Sequence, residues 1–597
     1  MNFVQRLKSD VTYVRGLLRI LNSTSDITPD SSNLLPDDWE RLADTYSENV
    51  AIIFEGQSLT YRDVELRANV FANWAKSQGI QKGDCVALLM GNRPDFIAIW
   101  LGIVKLGARC ALINNQLAAT PLAHCLNIVD AKLLIMGDAR WDQYVSAKPH
   151  MNEDTPAWVL GKGAPEGRNL EDALVQVSNA RPDKTPRSEL VAKDVALYIF
   201  TSGTTGLPKA ARMTHARCQT MMRSIMPACK SVPEDRVMVS LPLYHATGGL
   251  VAVGCAFMAG AAVVIERKFS PSTFWETAIE TGATNFVYIG EMGRFLMNCA
   301  PKPQERQHKI TRCFGNGLRA DVWRELVART GISRIYEFYG ATEGNVNLLN
   351  LDGKVGAIGR IPALVRHRLP TRLIRVDSQS GDVLRDEDGF CIETKPEEVG
   401  EAIGKINPND NRGRFEGYRD KSKNKNKILT NVFEKGDAYF RTGDLMRRDK
   451  DQYFFFVDRL GDTYRWKAEN VSTNEVSEVL SAFDGVKLAN VYGVEVQGHE
   501  GRAGMAAIQI EEGLDFAALW AHVKTQLPEF ARPVFLRLLD SGRTTESFKF
   551  KKVELVEEGF NPEKVDTELY ISSKELETFE VLTPQIYADV LSGKRRV

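Results

Sequence analysis

The sequence lacks an excess of charge of either sign, and it lacks cysteines at metal-binding spacing. Its 76 Lys and Arg residues against 77 Asp and Glu residues give a formal net charge of −1, so no basic surplus points to nucleic acid as a partner. The nine cysteines are spread singly, with no CxxC pair and no Cys/His cluster of zinc spacing. These absences argue against a structural zinc site, and we expect reduced, mostly buried thiols in a cytoplasmic protein.

The sequence also lacks the continuous apolar core of a secretory signal, because basic residues interrupt the first 21 positions. One charge-free stretch, Ala246–Ile265, is long enough to suggest a membrane span. It is rich in Gly and Ala, however, and Gly260 divides it. We therefore predict a buried helix, a glycine turn and the strand Ala261–Ile265.

The length of 597 residues exceeds the roughly 250–300 that one hydrophobic core supports. Short β-rich runs such as VAIIF and VALYIF alternate with helix-like segments, which predicts an α/β fold of βα units around largely parallel sheets. Residues 366–400 are turn-rich and predict a small antiparallel lobe. A compact α+β pattern restarts near 458. We predict three parts: a lead-in at 1–35, a large N-terminal domain at 36–457 and a mobile C-terminal lid domain at 458–597.

The lead-in has apolar residues at helical spacing, with basic residues among them: Val11, Val14, Leu18 and Leu21, and Arg6, Lys8, Arg15 and Arg19. Two interpretations stay open. The segment is either a helix packed on its own domain or a basic amphipathic helix on a membrane surface. The second would make the protein peripheral on the inner face of a membrane.

The most specific string is YIFTSGTTGLPK at Tyr198–Lys209. A buried strand leads into a loop of hydroxyl residues and glycines, whose N–H and O–H groups can converge on an anion, and Lys209 adds a positive charge. The G-x-x-x-x-G-K-[ST] pattern of a P-loop is absent. The string predicts a polyphosphate-binding loop formed by Thr201, Ser202, Gly203, Thr204, Thr205 and Gly206.

With this loop, the strings YEFYGATEGN (336–345), YFRTGDL (439–445) and DRLGDTYRWKAENVS (458–472) resemble the signatures of the adenylate-forming superfamily. That superfamily includes acyl-CoA synthetases, peptide-synthetase adenylation domains and luciferases. The resemblance is closest to the fatty acid transport protein and very-long-chain acyl-CoA synthetase family, through FGNGLRADVW, NRGRFEGY and FKFKKVELVEEGFNPEKV. It covers residues 45–597.

The resemblance implies ATP, Mg²⁺ and coenzyme A, with a fatty acid as the substrate. A fatty carboxylate would attack the α-phosphate of ATP to form acyl-AMP, and the CoA thiolate would then form the thioester. Lys549 would bridge the carboxylate and the α-phosphate, with Lys551 and Lys552 as rivals. Thr342 would donate to the α-phosphate, and Glu343 would hold Mg²⁺.

The resemblance also implies the nucleotide-binding residues beyond the loop and Lys209. The adenine would lie between Tyr339, which Gly340 follows, and the backbone of 315–317, and the ribose would contact an acidic and a basic residue. These residues are Gly315, Asn316, Gly317, Asp444 and Arg459. The C-terminal domain would swing about 459–462, where Gly461 can absorb a large backbone rotation, and the loop Trp466–Asn470 would then replace Lys549.

For the acyl chain, the resemblance implies Tyr244 and His245 at the entrance and the string YIGEMGRFL along the tunnel, including Tyr288 and Gly290. Gly248 and its small neighbours Gly249, Val251 and Gly254 would leave room for a long chain. Three positions depart from the wider superfamily: Ser547-Phe548 before Lys549, Gly461 at the hinge and Ala468. They bear on the domain swing.

The sequence thus predicts an ATP-dependent long- or very-long-chain fatty acid–CoA ligase, coupled or not to fatty-acid uptake. One alternative is an adenylate-forming ligase for another carboxylic acid or for a carrier-protein acceptor. A second, of a different class, is a fatty-acid transport module in which catalysis is not essential. Chain length and oligomeric state stay open.

Overall fold

A computed structural model describes residues 1–138, 140–201, 207–377, 381–460, 462–466, 469–497, 499, 501–539 and 552–595. In chain order the helices are α1 (Phe3–Ser23), α2 (Leu35–Thr45), α3 (Tyr61–Ser77), α4 (Pro94–Lys105), α5 (Ala119–Ile128), α6 (Trp141–Ala147), α7 (Leu170–Leu174), α8 (His215–Cys229), α9 (Val253–Phe257), α10 (Phe274–Glu280), α11 (Gly290–Asn298), α12 (Ala320–Thr330), α13 (Thr473–Ser481), α14 (Phe516–Gln526), α15 (Lys552–Glu558) and α16 (Pro584–Leu591).

The strands alternate with these helices over much of the chain. In chain order they are β1 (Val50–Phe54), β2 (Gln57–Thr60), β3 (Cys85–Leu89), β4 (Arg109–Leu112), β5 (Ala131–Gly137), β6 (Ala157–Leu160), β7 (Val195–Thr201), β8 (Lys209–Thr214), β9 (Arg236–Val239), β10 (Ala262–Ile265), β11 (Asn285–Ile289), β12 (Arg312–Asn316), β13 (Arg334–Gly340), β14 (Asn347–Asn350), β15 (Gly359–Arg360), β16 (Thr371–Ile374), β17 (Val399–Lys405), β18 (Ile428–Thr430), β19 (Ala438–Arg448), β20 (Tyr453–Arg459), β21 (Tyr464–Trp466), β22 (Glu469–Val471), β23 (Val486–Val494), β24 (Ala503–Ile510), β25 (Phe535–Leu538), β26 (Leu569–Ser573) and β27 (Thr578–Val581).

Two large sheets form the N-terminal part, as the alternating pattern predicts. The six-stranded sheet has the order β6-β5-β3-β4-β7-β8 and is parallel except for the β7–β8 pair. The larger, 14-stranded sheet has a parallel half built from β1, β10, β9, β11, β12 and β13. The α/β fold class is therefore confirmed. Each parallel strand that carries candidate site residues is followed by a loop at its carboxyl end, where ligands bind in α/β sheets.

The antiparallel lobe is real but is not a separate sheet. Strands β16, β17, β19 and β20 are antiparallel to one another, and β20 pairs with β15, which continues through β14 to β13. The lobe therefore extends the large sheet. The two-residue strand β15 makes this connection, and so short a strand has no hydrophobic pattern to read from the sequence.

The charge-free stretch folds as predicted. A π-helical turn at Thr247–Ala252 runs into α9, Gly260 turns the chain with a φ of +73°, and β10 follows. This segment is buried in the main core. Across the described ranges, no helix combines the length and the apolar character that a membrane span requires.

Helix α1 has one buried and one exposed face. A capping box at Asn2 and Gln5 begins it. Its inner face packs Tyr13 and Ile20 against Leu351, and Asp10 forms a 2.7 Å ion pair with the buried Arg360. The first interpretation of the lead-in therefore holds for the inner face.

The C-terminal part begins after β20 and has its own sheet, β23-β24-β25-β26-β27, over its own core. It touches the large part through α12, where the Arg319 guanidinium donates to the Glu478 carbonyl at 2.7 Å. The predicted domain boundary near 458 falls at the end of the last strand of the large sheet. The predicted swing about this boundary remains a prediction.

Candidate active site

The phosphate-loop string lies on a hairpin. Strands β7 and β8 are antiparallel, and Thr201 at the end of one pairs with Lys209 at the start of the other. The residues between them that were predicted to hold phosphates, 202–206, lie outside the described residues. The Lys209 ammonium lies 5.6 Å from the centre of the Tyr418 ring. Burial lowers the pKa of Lys209, and the neighbouring Lys427 and Lys423 lower it further, as expected where like charges converge.

Glu343 lies beside this lysine cluster. The Tyr418 hydroxyl donates a 2.6 Å hydrogen bond to Glu343 Oε1, and burial together with the Glu343 charge raises the pKa of Tyr418. Tyr418 thereby joins Lys209 to the ATEG loop. The sequence analysis assigned no role to Tyr418, although it ends the family-like string NRGRFEGY.

Arg217 binds the backbone of the ATEG loop, residues 341–344. Its guanidinium donates to the carbonyls of Ala341 (2.7 Å), Thr342 (2.7 Å) and Gly344 (2.6 Å). In a trans peptide the N–H points opposite to the C=O, so the N–H groups of Thr342 and Glu343 face away from Arg217. The sequence analysis missed this residue. The available signal was a cation in the first turn of α8, where the helix dipole disfavours it unless another partner is present.

The residues predicted to contact the ribose and the adenine lie together. The Tyr339 hydroxyl donates to the Asp444 carboxylate, and Arg459 Nε lies 3.3 Å from Asp444 Oδ1. Asp444 and Arg459 are register partners on the neighbouring strands β19 and β20. Burial and the Asp444 charge raise the pKa of Tyr339, so this phenol stays protonated and able to donate.

A buried carboxyl group supports the predicted adenine loop. Gly315 and Asn316 end β12, and Gly317 follows with a φ of +78°. Glu337, only 2% exposed, accepts from the N–H groups of Gly317 (3.0 Å) and Leu318 (2.9 Å) and from the Tyr288 hydroxyl (2.7 Å). Burial raises the pKa of Glu337 to about 8. Glu337 therefore positions this loop, and the sequence analysis had assigned it no role.

The residues predicted for the acyl tunnel are packed tightly. Tyr288 is 1% exposed and lies under the adenine loop. A Cβ on Gly290 would lie 1.8 Å from the Gly317 carbonyl oxygen, and one on Gly248 would lie 2.5 Å from that of Pro242. These glycines permit close backbone contact, and the place of Gly248 and its small neighbours beside the acyl chain stays a prediction. Tyr244 and His245 lie ring to ring at 4.5 Å, and their substrate role stays a prediction.

The site fits Mg²⁺ through one protein ligand. Among the residues that the structure describes, no group of three His, Cys, Asp or Glu side chains could hold a metal ion. Mg²⁺ needs few protein ligands when phosphates are present, because one or two carboxylates suffice beside phosphate oxygens and water. The Glu343 carboxylate next to Lys209 meets that requirement.

Several predicted residues cannot be placed. Lys549 and its rival Lys551 lie outside the described residues, as do Gly461 at the hinge and 467–468 in the exchanging loop. Their roles remain predictions.

Known proteins resemble the chain in sequence and in fold. Residues 39–381 match the family described as AMP-binding enzyme. The chain is 38% identical over 549 residues to "Long-chain fatty acid transport protein 6" of Mus musculus (91% of this chain, 88% of the relative), and 40% identical over 530 residues to "Long-chain fatty acid transport protein 3" of Homo sapiens (87% and 76%).

Solved structures share the fold. An anthranilate CoA ligase in complex with anthranoyl-AMP superposes with a TM-score of 0.74 at 20% identity, over 89% of this chain and 98% of the other. ATP-bound MatB from Rhodopseudomonas palustris gives a TM-score of 0.71 at 24% identity, over 87% and 98%. The chain has the fold of adenylate-forming ligases and belongs to the AMP-binding enzyme family, alongside the long-chain fatty acid transport proteins.

Proposed function

We propose that the chain is an ATP-dependent long- or very-long-chain fatty acid–CoA ligase that works through acyl-AMP. One arrangement carries the proposal: Lys209 lies over the Tyr418 ring and Tyr418 is hydrogen-bonded to Glu343, while Tyr339, at the other end of the short segment 339–343, is hydrogen-bonded to Asp444. That arrangement offers cations and a carboxylate for the phosphates at one end of the segment, and hydrogen-bonding groups for a nucleoside at the other.

In the first half-reaction, a carboxylate oxygen of the acid bonds to the α-phosphorus of ATP, and the bond to the β-phosphate oxygen breaks. Lys209 and the loop 201–206 hold the β- and γ-phosphates, while Thr342 donates to the α-phosphate. Asp444 and Arg459 bind the ribose, and Tyr339 stacks on the adenine. These groups position reactants and neutralise charge, which is the main protein contribution to phosphoryl chemistry. Glu343 would hold Mg²⁺ beside the phosphates, and the ion would supply further neutralisation of their charge.

In the second half-reaction, the CoA sulfur bonds to the acyl carbon and AMP leaves with the former carboxylate oxygen, while the thiol proton passes to solvent. Lys549 acts in the first step and the loop 466–470 in the second. The names of the relatives support a fatty acid as the substrate. The shared fold with the anthranilate CoA ligase supports CoA as the acceptor.

The deciding experiment measures AMP and thioester with purified protein, ATP, Mg²⁺ and a fatty-acid chain-length series, with and without CoA. We expect acyl-CoA and AMP in equal amounts, strongly dependent on CoA, with an optimum among long chains. Accumulation of acyl-adenylate that CoA does not discharge would instead favour a carrier-protein or other acceptor. Absence of any AMP, with the fatty acid still bound, would favour the transport module.

We further propose that α1 rests on an anionic membrane surface, which would place the enzyme where fatty acids enter. Its outer face exposes Phe3 (79%), Val4 (72%) and Leu7 (53%), with Val11 and Leu18 beyond them. Lys8, Arg15 and Arg19 are also exposed, and the one acidic residue of α1, Asp10, is paired with Arg360. Apolar residues flanked by cations match a lipid surface of negative charge. Ligation at that surface would trap incoming acid as its thioester.

Replacing Leu7 and Val11 with glutamate should lower binding to phosphatidylserine-containing vesicles by about tenfold or more. The reason is that two apolar contacts with lipid become two negative charges, which the anionic headgroups repel. Co-sedimentation at two salt concentrations measures the effect. Leu576→Glu is the matched control, since Leu576 is 63% exposed in the C-terminal part, and it should bind like the wild type. Equal binding by all three proteins would remove the membrane role of α1.

A further inference from the structure

A cavity in the antiparallel lobe is lined by three arginines and one carboxylate. Arg366 comes from a 3₁₀ turn at Ala363–Arg368, Arg372 from β16 and Arg448 from β19. Glu393 is the carboxylate and pairs with Arg366. None of these residues belongs to the candidate active site described above. With one negative and three positive charges, the cavity carries an excess of two positive charges.

Within the described residues, neither Arg372 nor Arg448 forms an ion pair, and Arg372 donates to the neutral carbonyls of Leu369 and Thr371, both at 2.8 Å. Arg448 is 7% exposed, and its closest hydrogen-bond acceptors are neutral and distant, namely Gln452 Oε1 at 3.3 Å and the Thr394 carbonyl at 3.5 Å. Within the described ranges, Arg448 Nε and the hydroxyl of Thr371, itself 2% exposed, have no hydrogen-bond partner. Both residues line the cavity. A buried charge without a partner is costly, so this arrangement favours an added anion.

The charges also act on one another. Burial lowers the pKa of Arg372 and of Arg448, and in both cases Arg366 is the next largest cause. A neutral water molecule could satisfy the Thr371 hydroxyl, but it would leave this repulsion in place. An anion with several acceptor oxygens would satisfy the donors and remove the repulsion together.

The size of the cavity limits the ligand. The enclosed space is about 10 Å³, which is the room of about one water-sized sphere. One oxygen of an oxyanion therefore fits among the arginines, and the rest of the ligand would extend toward solvent. The turn that carries Arg366 also exposes Leu364 to 76%, so an apolar contact is available beside the opening.

We propose that Arg366, Arg372 and Arg448, with Thr371, form a binding site for a phosphate group, either free phosphate or the headgroup of an anionic phospholipid. The planar guanidinium forks suit phosphate oxygens, and the exposed Leu364 suits the lipid source. This site is separate from the candidate active site and does not depend on the proposed ligase activity.

The test compares the wild type with Arg448→Gln, with the double variant Arg366→Gln/Arg372→Gln and with a matched control. The control is Arg447→Gln, because Arg447 precedes Arg448 on β19 and pairs with Glu397 instead. Binding of radiolabelled inorganic phosphate is measured at constant ionic strength with AMP in excess. We expect a dissociation constant about tenfold or more weaker for the cavity variants and unchanged for Arg447→Gln. The double variant keeps the test decisive if Arg448→Gln does not fold.

A second arm separates the sources. In the Leu7→Glu/Val11→Glu background, which removes the contribution of α1, co-sedimentation with phosphatidylcholine vesicles, with and without phosphatidate, should show phosphatidate-dependent binding that the cavity variants lose and the control keeps, if the ligand is a headgroup. Arginine-dependent binding of inorganic phosphate alone would assign the site to free phosphate. If neither binding depends on the three arginines more than on Arg447, the proposal is wrong.

Discussion

Replacing Glu343 with glutamine should lower the rate of acyl-AMP formation by about 10²–10³-fold and raise the Mg²⁺ concentration needed for half-maximal rate. The substitution keeps the size and the hydrogen bond from Tyr418 but removes the negative charge that would hold Mg²⁺ against the phosphates. Single-turnover formation of acyl-AMP across a Mg²⁺ series measures both effects.

Two control variants test whether the effect of Glu343→Gln comes from the lost negative charge. Tyr418→Phe keeps the carboxylate and removes only its donor, so its rate should fall by less than about tenfold. Glu434→Gln changes a surface carboxylate that pairs with Lys405, and it should leave the rate unchanged. A Glu343→Gln protein with normal rate and normal Mg²⁺ dependence would refute the assignment of Glu343.

Replacing Arg217 with glutamine should lower acyl-AMP formation by about 100-fold, although Arg217 is not expected to touch substrate. Its three hydrogen bonds orient the peptide units of Ala341, Thr342 and Gly344. Without them, Thr342 and Glu343 lose their fixed orientation toward the phosphates, and a small displacement at a reacting centre is enough to cost this factor. Arg217→Lys should recover part of the rate, because one ammonium cannot reach all three carbonyls as the guanidinium fork does.

A double-mutant cycle distinguishes positioning from general destabilisation. If Arg217 acts through Glu343, the two substitutions together should cost little more than Glu343→Gln alone, and Arg217→Gln should shift the Mg²⁺ requirement in the same direction. Fully additive losses with an unchanged Mg²⁺ requirement would mean that Arg217 only stabilises the fold, which thermal unfolding of the variants would then show.

The local elements could be predicted because their patterns are local. Runs such as VAIIF and VALYIF correspond to β1 and β7, and the Gly260 turn separates α9 from β10 as the composition predicts. The predicted nucleotide-binding residues come from short strings, because a resemblance between motifs assigns a role to each matching position of the chain. The structure adds that Tyr339, Asp444 and Arg459 do meet.

The groups behind the site could not be predicted in the same way. Arg217, Glu337 and Tyr418 act across 19 to 127 positions of sequence separation, and no local pattern identifies the partner of such a contact. The hydrogen bond from the Tyr288 hydroxyl to Glu337 is equally hidden from the sequence, and the predicted tunnel role of Tyr288 stays a prediction. Buried polar groups need hydrogen bonds, but tertiary packing determines which partners they have.

The sequence by itself determined the α/β class, the order of the elements and the family, and it supplied the predicted nucleotide-binding residues, because periodicity and motif spacing are written along the chain. Only the tertiary structure decided that the antiparallel lobe extends the large sheet, that α1 buries one face and exposes another, and that three arginines converge on one cavity. These features depend on segments far apart in sequence. Their burial and their charge balance exist only once the segments are packed together.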